Sequence, residues 1–175
     1  MTLSGPTNTV LGANTVHTYT IQDNDQPRVQ FSSASSTGAE SVASVTIPVS
    51  LSSTSLTESQ ATYTVTGTAT GSGTDFTLAN GSVVIAAGQT SANITFTVAE
   101  DVIDELDETV ILTLSNPTGS TLGTQTTHTY TIQDNDQPTV QFNATTSNGA
   151  ESLTSVNLQV NLSGTSPNTV TVNYA

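Results

Sequence analysis

An eleven-residue segment occurs twice, letter for letter, in this chain of 175 residues. The segment HTYTIQDNDQP spans residues 17–27 and recurs at residues 128–138, an offset of 111 residues. Shorter matches keep the same offset, since GAE at residues 38–40 recurs at residues 149–151. Solenoid units are roughly 20 to 50 residues long, whereas a period of 111 residues is the length of a whole domain. We therefore expect a tandem array of domain-sized repeats.

The Gln-Pro pairs that close both copies predict where one repeat ends and the next begins, because proline stiffens a very short link. Residues 1–27 are then the C-terminal strands of a preceding repeat, residues 28–137 are one complete repeat, and residues 138–175 are the N-terminal strands of a following one. The two end segments together lack the equivalents of residues 65–111. We therefore expect that they cannot rebuild a whole domain even when joined.

Apolar and polar residues alternate along much of the middle repeat, which is typical of half-buried β-strands. Turn-forming residues separate these stretches, for example at residues 36–38 and at Asn80-Gly81. The abundance of Ser, Thr and β-branched residues opposes helix formation. Seven strands are predicted, near residues 29–32, 42–51, 61–67, 81–86, 92–98, 109–115 and 127–133. Seven short strands in one repeat predict an all-β fold, an antiparallel immunoglobulin-like β-sandwich.

The charge of the chain excludes several classes of partner. Arg28 is the only basic residue against 14 acidic ones, which gives a formal net charge of −13. Nucleic acid and anionic membrane surfaces are therefore disfavoured, and cations are the natural counter-species.

Without cysteine, neither disulfides nor thiolate metal sites can form. No apolar run is long enough to insert into a membrane. The bias toward Ser, Thr, Asn and Gly favours an extracellular or cell-surface protein of bacterial origin.

The acidic residues of the middle repeat are predicted to converge at one end of the sandwich. In an antiparallel sandwich every second connecting loop lies at the same pole, and ten of the eleven acids fall in loops of that set. Only Glu58 is expected at the opposite pole. The converging residues are Glu40, Asp75, Glu100, Asp101, Asp104, Glu105, Asp107, Glu108, Asp134 and Asp136.

Such a cluster has two interpretations. One is a solvated acidic face, as in salt-adapted proteins. The other is a metal site, because two carboxylates about 4 Å apart repel by roughly 4 kcal/mol at an effective dielectric near 20. Oxygen ligands without His or Cys suit a hard divalent cation, and flexible loops suit Ca²⁺ better than Mg²⁺. The exposed strand positions carry Thr, Ser and Asn rather than acids, which favours the calcium site.

Four segments of the middle repeat together resemble the Calx-β domain, the calcium-binding repeat of sodium-calcium exchangers and large bacterial surface proteins. They are GAE at 38–40, GTDFT at 73–77, EDVIDELDETVILTLSNP at 100–117 and YTIQDND at 130–136. The resemblance implies that Ca²⁺ is bound by Glu40, Asp75, Glu100, Asp101, Glu105, Asp134 and Asp136, with Glu108 as a further ligand. It also implies that Asp104 and Asp107 are outer-shell or solvated residues.

Catalytic interpretations find little support. His128 alternates with Tyr130 and Ile132 on the inner face of a strand, which favours a packed histidine over a ligand. No GxSxG elbow is present. A carboxylate pair could serve a glycosidase, but the chain lacks tryptophan and has few aromatic residues to stack on a sugar. We therefore predict that the chain is not an enzyme.

Three functions remain open. The first is a calcium-binding structural repeat of a surface or adhesion protein, in which Ca²⁺ at one pole stiffens the end-to-end junctions between neighbouring repeats. The second is a self-assembling filament subunit that uses strand addition between neighbouring copies. The third is a calcium-sensing regulatory module.

Overall fold

The computed structural model describes residues 1–175 and contains twelve β-strands. The strands are β1 (Arg28–Phe31), β2 (Ser35–Ala39), β3 (Val45–Leu51), β4 (Ser59–Gly67), β5 (Phe76–Thr77), β6 (Gly81–Ile85), β7 (Ser91–Val98), β8 (Glu108–Thr118), β9 (Thr121–Leu122), β10 (Thr127–Gln133), β11 (Val140–Phe142) and β12 (Val160–Leu162). No helix is long and apolar enough to cross a lipid bilayer.

The middle repeat forms a sandwich of two five-stranded sheets. One sheet has the order β5-β7-β3-β1-β9, and the other has the order β2-β10-β8-β4-β6. The predicted all-β sandwich is confirmed. Its pairing is antiparallel except at two places, where β1 runs parallel to β9 and β2 runs parallel to β10.

The alternating pattern of each strand places one row of side chains in the core between the sheets. In β3 the side chains of Val45, Ile47, Val49 and Leu51 are buried, and the intervening positions are exposed or half-buried. Burying one such side chain fully stabilises the fold by about 1.5 to 3 kcal/mol. In β10 the buried row begins with His128, which is 1% exposed. The predicted inward position of this histidine is therefore confirmed.

Residues 36–38, predicted as a turn, instead belong to strand β2. The chain leaves the first sheet after Phe31 and joins the second sheet at Ser35, where it pairs in parallel with β10. Gly38 makes this pairing possible, because a Cβ at that position would overlap the hydroxyl of Tyr130. The glycine therefore serves a close contact between strands rather than a turn. With β2 and the two-residue strands β5 and β9, the middle repeat has ten strands rather than seven.

The strand directions define two poles. At the first pole, called here the acidic pole, β2 ends beside the end of β10, since Ala39 pairs with Gln133. β8 begins at the same pole, because Glu108 pairs with Ile132. The opposite pole contains the start of β1 at Arg28. The chain therefore enters the middle repeat at one pole and leaves it at the other.

The two end segments reproduce pairings of the middle repeat at the same offset of 111 residues. Val140 pairs with Leu162 as Val29 pairs with Leu51. At the other end of the chain, Thr2 forms an isolated antiparallel bridge with Val16, and their equivalents Thr113 and Thr127 are paired in the sandwich. Residues 1–27 form no other strand. The division of the chain at residues 27 and 137 remains a prediction.

Candidate metal centre

Three carboxylates from different parts of the chain meet at the acidic pole. Glu40 follows β2, Asp101 follows β7, and Asp136 follows β10, and one carboxylate oxygen of each lies within 4.8 Å of the other two. Glu40 is only 4% exposed. Its Oε2 atom and the Oδ2 atom of Asp136 are buried and have no hydrogen-bond partner. Buried polar atoms are almost always paired, so two orphaned oxygens in one group indicate a missing partner.

A second group lies at the same pole. Asp75, Glu105 and Glu108 also bring one carboxylate oxygen each within 4.8 Å of one another. Asp75 is buried, and the two glutamates are half-buried. The two groups influence each other, because Glu105 raises the pKa of Glu40. We call them the Glu40 group and the Asp75 group.

Backbone hydrogen bonds hold the two buried members in place. The N–H of Glu40 donates to the carbonyl of Gln133 at 2.9 Å, which extends the parallel pairing of β2 with β10 by one residue. Asp75 closes a tight loop, since its N–H donates to the carbonyl of Thr70 at 3.0 Å and its Oδ2 accepts a hydrogen bond from the N–H of Thr70. The N–H of Ala99 donates to the carbonyl of Asp75 at 2.8 Å and ties this loop to the end of β7.

Asp134 connects the segment after β10 with the long acidic loop after β7. Its Oδ2 accepts a hydrogen bond from the N–H of Glu105 at 3.2 Å, and its Oδ1 accepts one from the N–H of Asp136 at 3.1 Å. In turn, the N–H of Asp134 donates to Oδ1 of Asp107 at 3.3 Å. Asp134 thus positions members of both groups through their backbones.

Burial and mutual repulsion hold several of these carboxyls toward the protonated form. Desolvation, followed by repulsion from Asp101 and Asp134, raises the pKa of Glu40 to about 7. Desolvation and a hydrogen bond with Asp75 raise the pKa of Glu108 to about 7. The pKa of Glu105 and the pKa of Asp136 are raised as well, in both cases first by desolvation and then by neighbouring acids. Each shift marks a site where added negative charge is unfavourable.

A hard divalent cation fits this donor set. The groups offer only carboxylate oxygens, which are the ligands that Ca²⁺ and Mg²⁺ prefer. No lysine or arginine lies at the acidic pole to neutralise these carboxylates, because Arg28 is the only such residue and lies at the opposite pole. The orphaned oxygens of Glu40 and Asp136 would gain a partner from a bound ion.

Six of the eight residues predicted as ligands therefore fall into the two groups. Asp134 lies beside them and makes the backbone contacts described above. Glu100 is exposed and belongs to neither group, although its charge raises the pKa of Glu40 and the pKa of Asp136.

Of the residues predicted as outer-shell or solvated, Asp107 is exposed and Asp104 is half-buried. Glu58 is exposed beside the start of β4, at the pole away from the other acids.

Asn135 is a structural member of the site that was not among the predicted ligands. Its side-chain amide donates to Oε1 of Glu100 at 3.2 Å, and its Oδ1 accepts a hydrogen bond from the N–H of Ser41 at 3.3 Å. It thereby ties the turn after β2 to the acidic loop. Its place between two aspartates of the exactly repeated DND triplet was the available signal.

Comparison with known proteins gives the family. The family model of the Calx-beta domain matches residues 22–136 and matches again over residues 133–175. A search of curated protein sequences found no match.

Several solved structures resemble the chain. The crystal structure of CBD12 from CALX1.2 has a TM-score of 0.57 and 27% identity, and the match covers 62% of this chain and 44% of that one. The apo form of the Calx CBD1 domain has a TM-score of 0.58 and 26% identity, with 64% of this chain and 100% of that chain covered. A putative carbohydrate binding protein from Bacteroides ovatus has a TM-score of 0.51 and 15% identity, over 67% of this chain and 40% of that one. The last match shows similarity of fold alone.

Proposed function

Because this chain belongs to the Calx-beta domain family, we propose that its middle repeat is a calcium-binding structural domain of an extracellular surface or adhesion protein. The observation that carries the proposal is the pair of buried, unpartnered oxygens on Glu40 and Asp136 within a group of three carboxylates. A similar structure, that of CBD12 of CALX1.1, is described as a calcium binding domain and is 27% identical to this chain.

The ligands come from segments that are far apart in sequence. Glu40, Asp75, Asp101, Glu105, Glu108 and Asp136 would hold Ca²⁺, with Asp134 as a further ligand beside both groups. Ions bound in the two groups would therefore connect the ends of β2, β7 and β10, the start of β8 and the loop before β5. Because they would neutralise charges that otherwise repel, they would stabilise the folded state over the unfolded one.

The position of the site suggests what this stabilisation does. Asp136 is two residues before Pro138, where the next repeat is predicted to begin. The chain enters the middle repeat at the pole opposite to the acids and leaves it beside them, so successive repeats would be joined end to end. Calcium at Asp134 and Asp136 would fix the segment that leads into the next repeat. A stack of such repeats would be a calcium-stiffened spacer outside the cell, where millimolar Ca²⁺ suits modules with dissociation constants of about 10⁻⁴ to 10⁻³ M.

The proposal is tested by thermal unfolding of the 175-residue chain with calcium and with a chelator. We expect a higher melting temperature in calcium, because a ligand at 100 times its dissociation constant stabilises the folded state by about 2.7 kcal/mol. Equal melting temperatures in the two conditions would overturn calcium binding. Small-angle scattering of the same samples separates a spacer from a calcium sensor, since a spacer stiffens without rearranging its domains, whereas a sensor changes shape.

A further inference from the structure

Strand β2 brings Glu40 to the acidic pole, but it has no large apolar side chain that would hold it against the core. It is the outermost strand of its sheet and pairs only with β10. Its inward positions are Ser36 and Gly38, because Ser36 lies opposite the buried Tyr130. Strands β3 and β10, by contrast, each bury one side chain in two. Contacts other than apolar packing must therefore hold β2 in place.

His128 makes these contacts. Its side chain is 1% exposed, and both ring nitrogens are hydrogen-bonded to the segment that contains β2. Nδ1 lies 2.8 Å from the carbonyl oxygen of Ser33, and Nε2 lies 2.8 Å from the hydroxyl oxygen of Ser36. Because a carbonyl can only accept, Nδ1 carries a proton and donates it, which fixes the orientation of the ring. The hydroxyl of Ser36 can donate or accept, so it satisfies Nε2.

The same ring fastens the point where the chain changes sheets. The chain leaves the first sheet after Phe31 and joins the second sheet at Ser35. The ring of His128 packs against the ring of Phe31 with 5.6 Å between centroids, and its hydrogen bonds reach across the crossing. Detaching β2 would leave a buried imidazole without partners, which is unfavourable because its polar atoms would stay desolvated. We call the contacts of His128 with Phe31, Ser33 and Ser36 the His128 clamp.

The second copy of this segment keeps the side chains on which the clamp depends. Among the residues that recur at the offset of 111 are Ser36, Gly38 and Glu40, as Ser147, Gly149 and Glu151. The exposed positions 35 and 37 change, to Thr146 and Asn148. Position 33 changes to Ala144, and there the 2.8 Å bond uses the backbone carbonyl rather than the side chain. The inward side chains of the segment are therefore kept, whereas two of their exposed neighbours are not.

We propose that His128 is a positioning residue for the calcium site, because the clamp holds β2 against β10 and thereby holds Glu40 in the Glu40 group. Glu40 is four residues beyond Ser36, at the end of the same strand. Repulsion from the neighbouring acids acts on Glu40 when no ion is bound, and the clamp opposes it. A ligand that is already in place binds more tightly, since less ordering accompanies binding. The inference rests on the proposed function, because it concerns calcium binding at this group.

The test measures calcium affinity and amide hydrogen exchange in the 175-residue chain. Ser36→Ala removes one hydroxyl and leaves Nε2 of His128 without a partner. We expect calcium affinity to fall by roughly tenfold, as it does for other residues that act on a metal through its ligands. In the calcium-free chain, exchange of the Glu40 amide should become faster by roughly tenfold, because its bond to Gln133 opens more often.

Two variants serve as matched controls. Thr37→Ala removes a hydroxyl from the exposed side of the same strand. Ser59→Ala breaks the buried 2.6 Å hydrogen bond between the hydroxyls of Ser59 and Ser120 at the opposite pole. The second control should lower the melting temperature without affecting the acidic pole. Both controls should keep the calcium affinity of the parent chain and its rate of Glu40 exchange.

The possible outcomes separate the role of His128 from the proposed function. If the parent chain and Ser36→Ala bind calcium equally, the role of His128 is overturned and the proposed function stands. An equal loss of affinity in Ser59→Ala also overturns that role, because the effect would then come from overall stability. A parent chain that binds no calcium overturns the proposed function and, with it, the role of His128.

Discussion

The backbone N–H of Glu40 donates a hydrogen bond to the carbonyl oxygen of Gln133 at 2.9 Å. This bond joins the ends of two parallel strands that are more than 90 residues apart in sequence. It places a buried glutamate beside Asp134, which follows Gln133 directly, and beside Asp136, which is two residues further on. Strand pairing, rather than contacts among the carboxylates, therefore positions the residues of the acidic pole. Substitutions that replace a carboxylate by its amide can test the site without disturbing the fold.

Glu40→Gln should have opposite effects on stability and on calcium affinity. Without calcium the variant should be more stable than the parent chain by about 1 to 3 kcal/mol, because a buried charge among four other acids is removed. Its calcium affinity should fall by roughly tenfold or more, since a ligand is weakened. Chemical unfolding with and without calcium measures both effects. Glu58→Gln at the opposite pole is the control and should change neither. A calcium affinity equal to that of the parent chain would exclude Glu40 from the site.

The stability of the calcium-free chain should fall as the pH rises from about 5 to 8. Glu40 and Glu108 keep their protons up to a pKa of about 7 when folded, whereas the value in a free side chain is 4.5. Between these values the folded state binds protons that the unfolded state has released, so raising the pH favours unfolding. The loss is at most about 3 kcal/mol per group and is complete above the folded pKa.

With calcium present, the stability of the chain should instead rise over this pH range. Protons compete with the metal for the same carboxylates, so calcium affinity rises over the same pH range. Melting temperatures at pH 5, 6, 7 and 8, each with calcium and with chelator, test both directions together. A calcium-free chain that becomes more stable between pH 5 and 8 would contradict the raised pKa values.

Asp75→Asn should weaken calcium binding far more than Glu100→Gln. Asp75 is buried and belongs to a group of three carboxylates, whereas Glu100 is exposed and belongs to neither group. We expect a loss of about tenfold or more for Asp75→Asn and a change of less than about threefold for Glu100→Gln. Asparagine still accepts the hydrogen bond from Thr70, so the loop should keep its shape. Calcium titrations of the two variants give the comparison, and the reverse order would place the metal nearer to Glu100.

Gly38→Ala should destabilise the sandwich by about 1 to 3 kcal/mol, because the added methyl group overlaps the hydroxyl of buried Tyr130. The cost arises in the pairing of β2 with β10 and should be present with and without calcium. Gly164→Ala is the matched control, because a Cβ there meets no atom within 4 Å and the substitution should be nearly neutral. Denaturant unfolding measures both. Equal stability of the two variants would show that β2 tolerates a side chain at residue 38.

Alternation of apolar and polar residues was sufficient to predict most of the strands and their inward rows. β3 and β10 illustrate this, because each buries one side chain in two over its whole length. β2 could not be found in this way. It consists of small and polar residues, and its pairing partner is more than 90 residues away. In the sequence, Gly38 indicates a turn. Only the structure shows that it lies against Tyr130 and belongs to a strand.

The candidate site was predictable in its location and less so in its composition. Strand direction alone assigns Glu40, Asp75 and Asp136 to one pole. The division into two groups depends on where side chains point within the irregular loop after β7, which no periodicity determines. The same holds for the exposure of Glu100 and the bridging role of Asn135.

A calorimetric titration of calcium into the 175-residue chain is the most direct test of the central claim. The account predicts saturable binding with a dissociation constant of about 10⁻³ M or tighter. It also predicts that Glu40→Gln and Asp75→Asn weaken binding, whereas Glu58→Gln leaves it unchanged. Absence of saturable binding at millimolar calcium, or equal binding by all three variants, would show that the acidic pole is a solvated surface rather than a metal site.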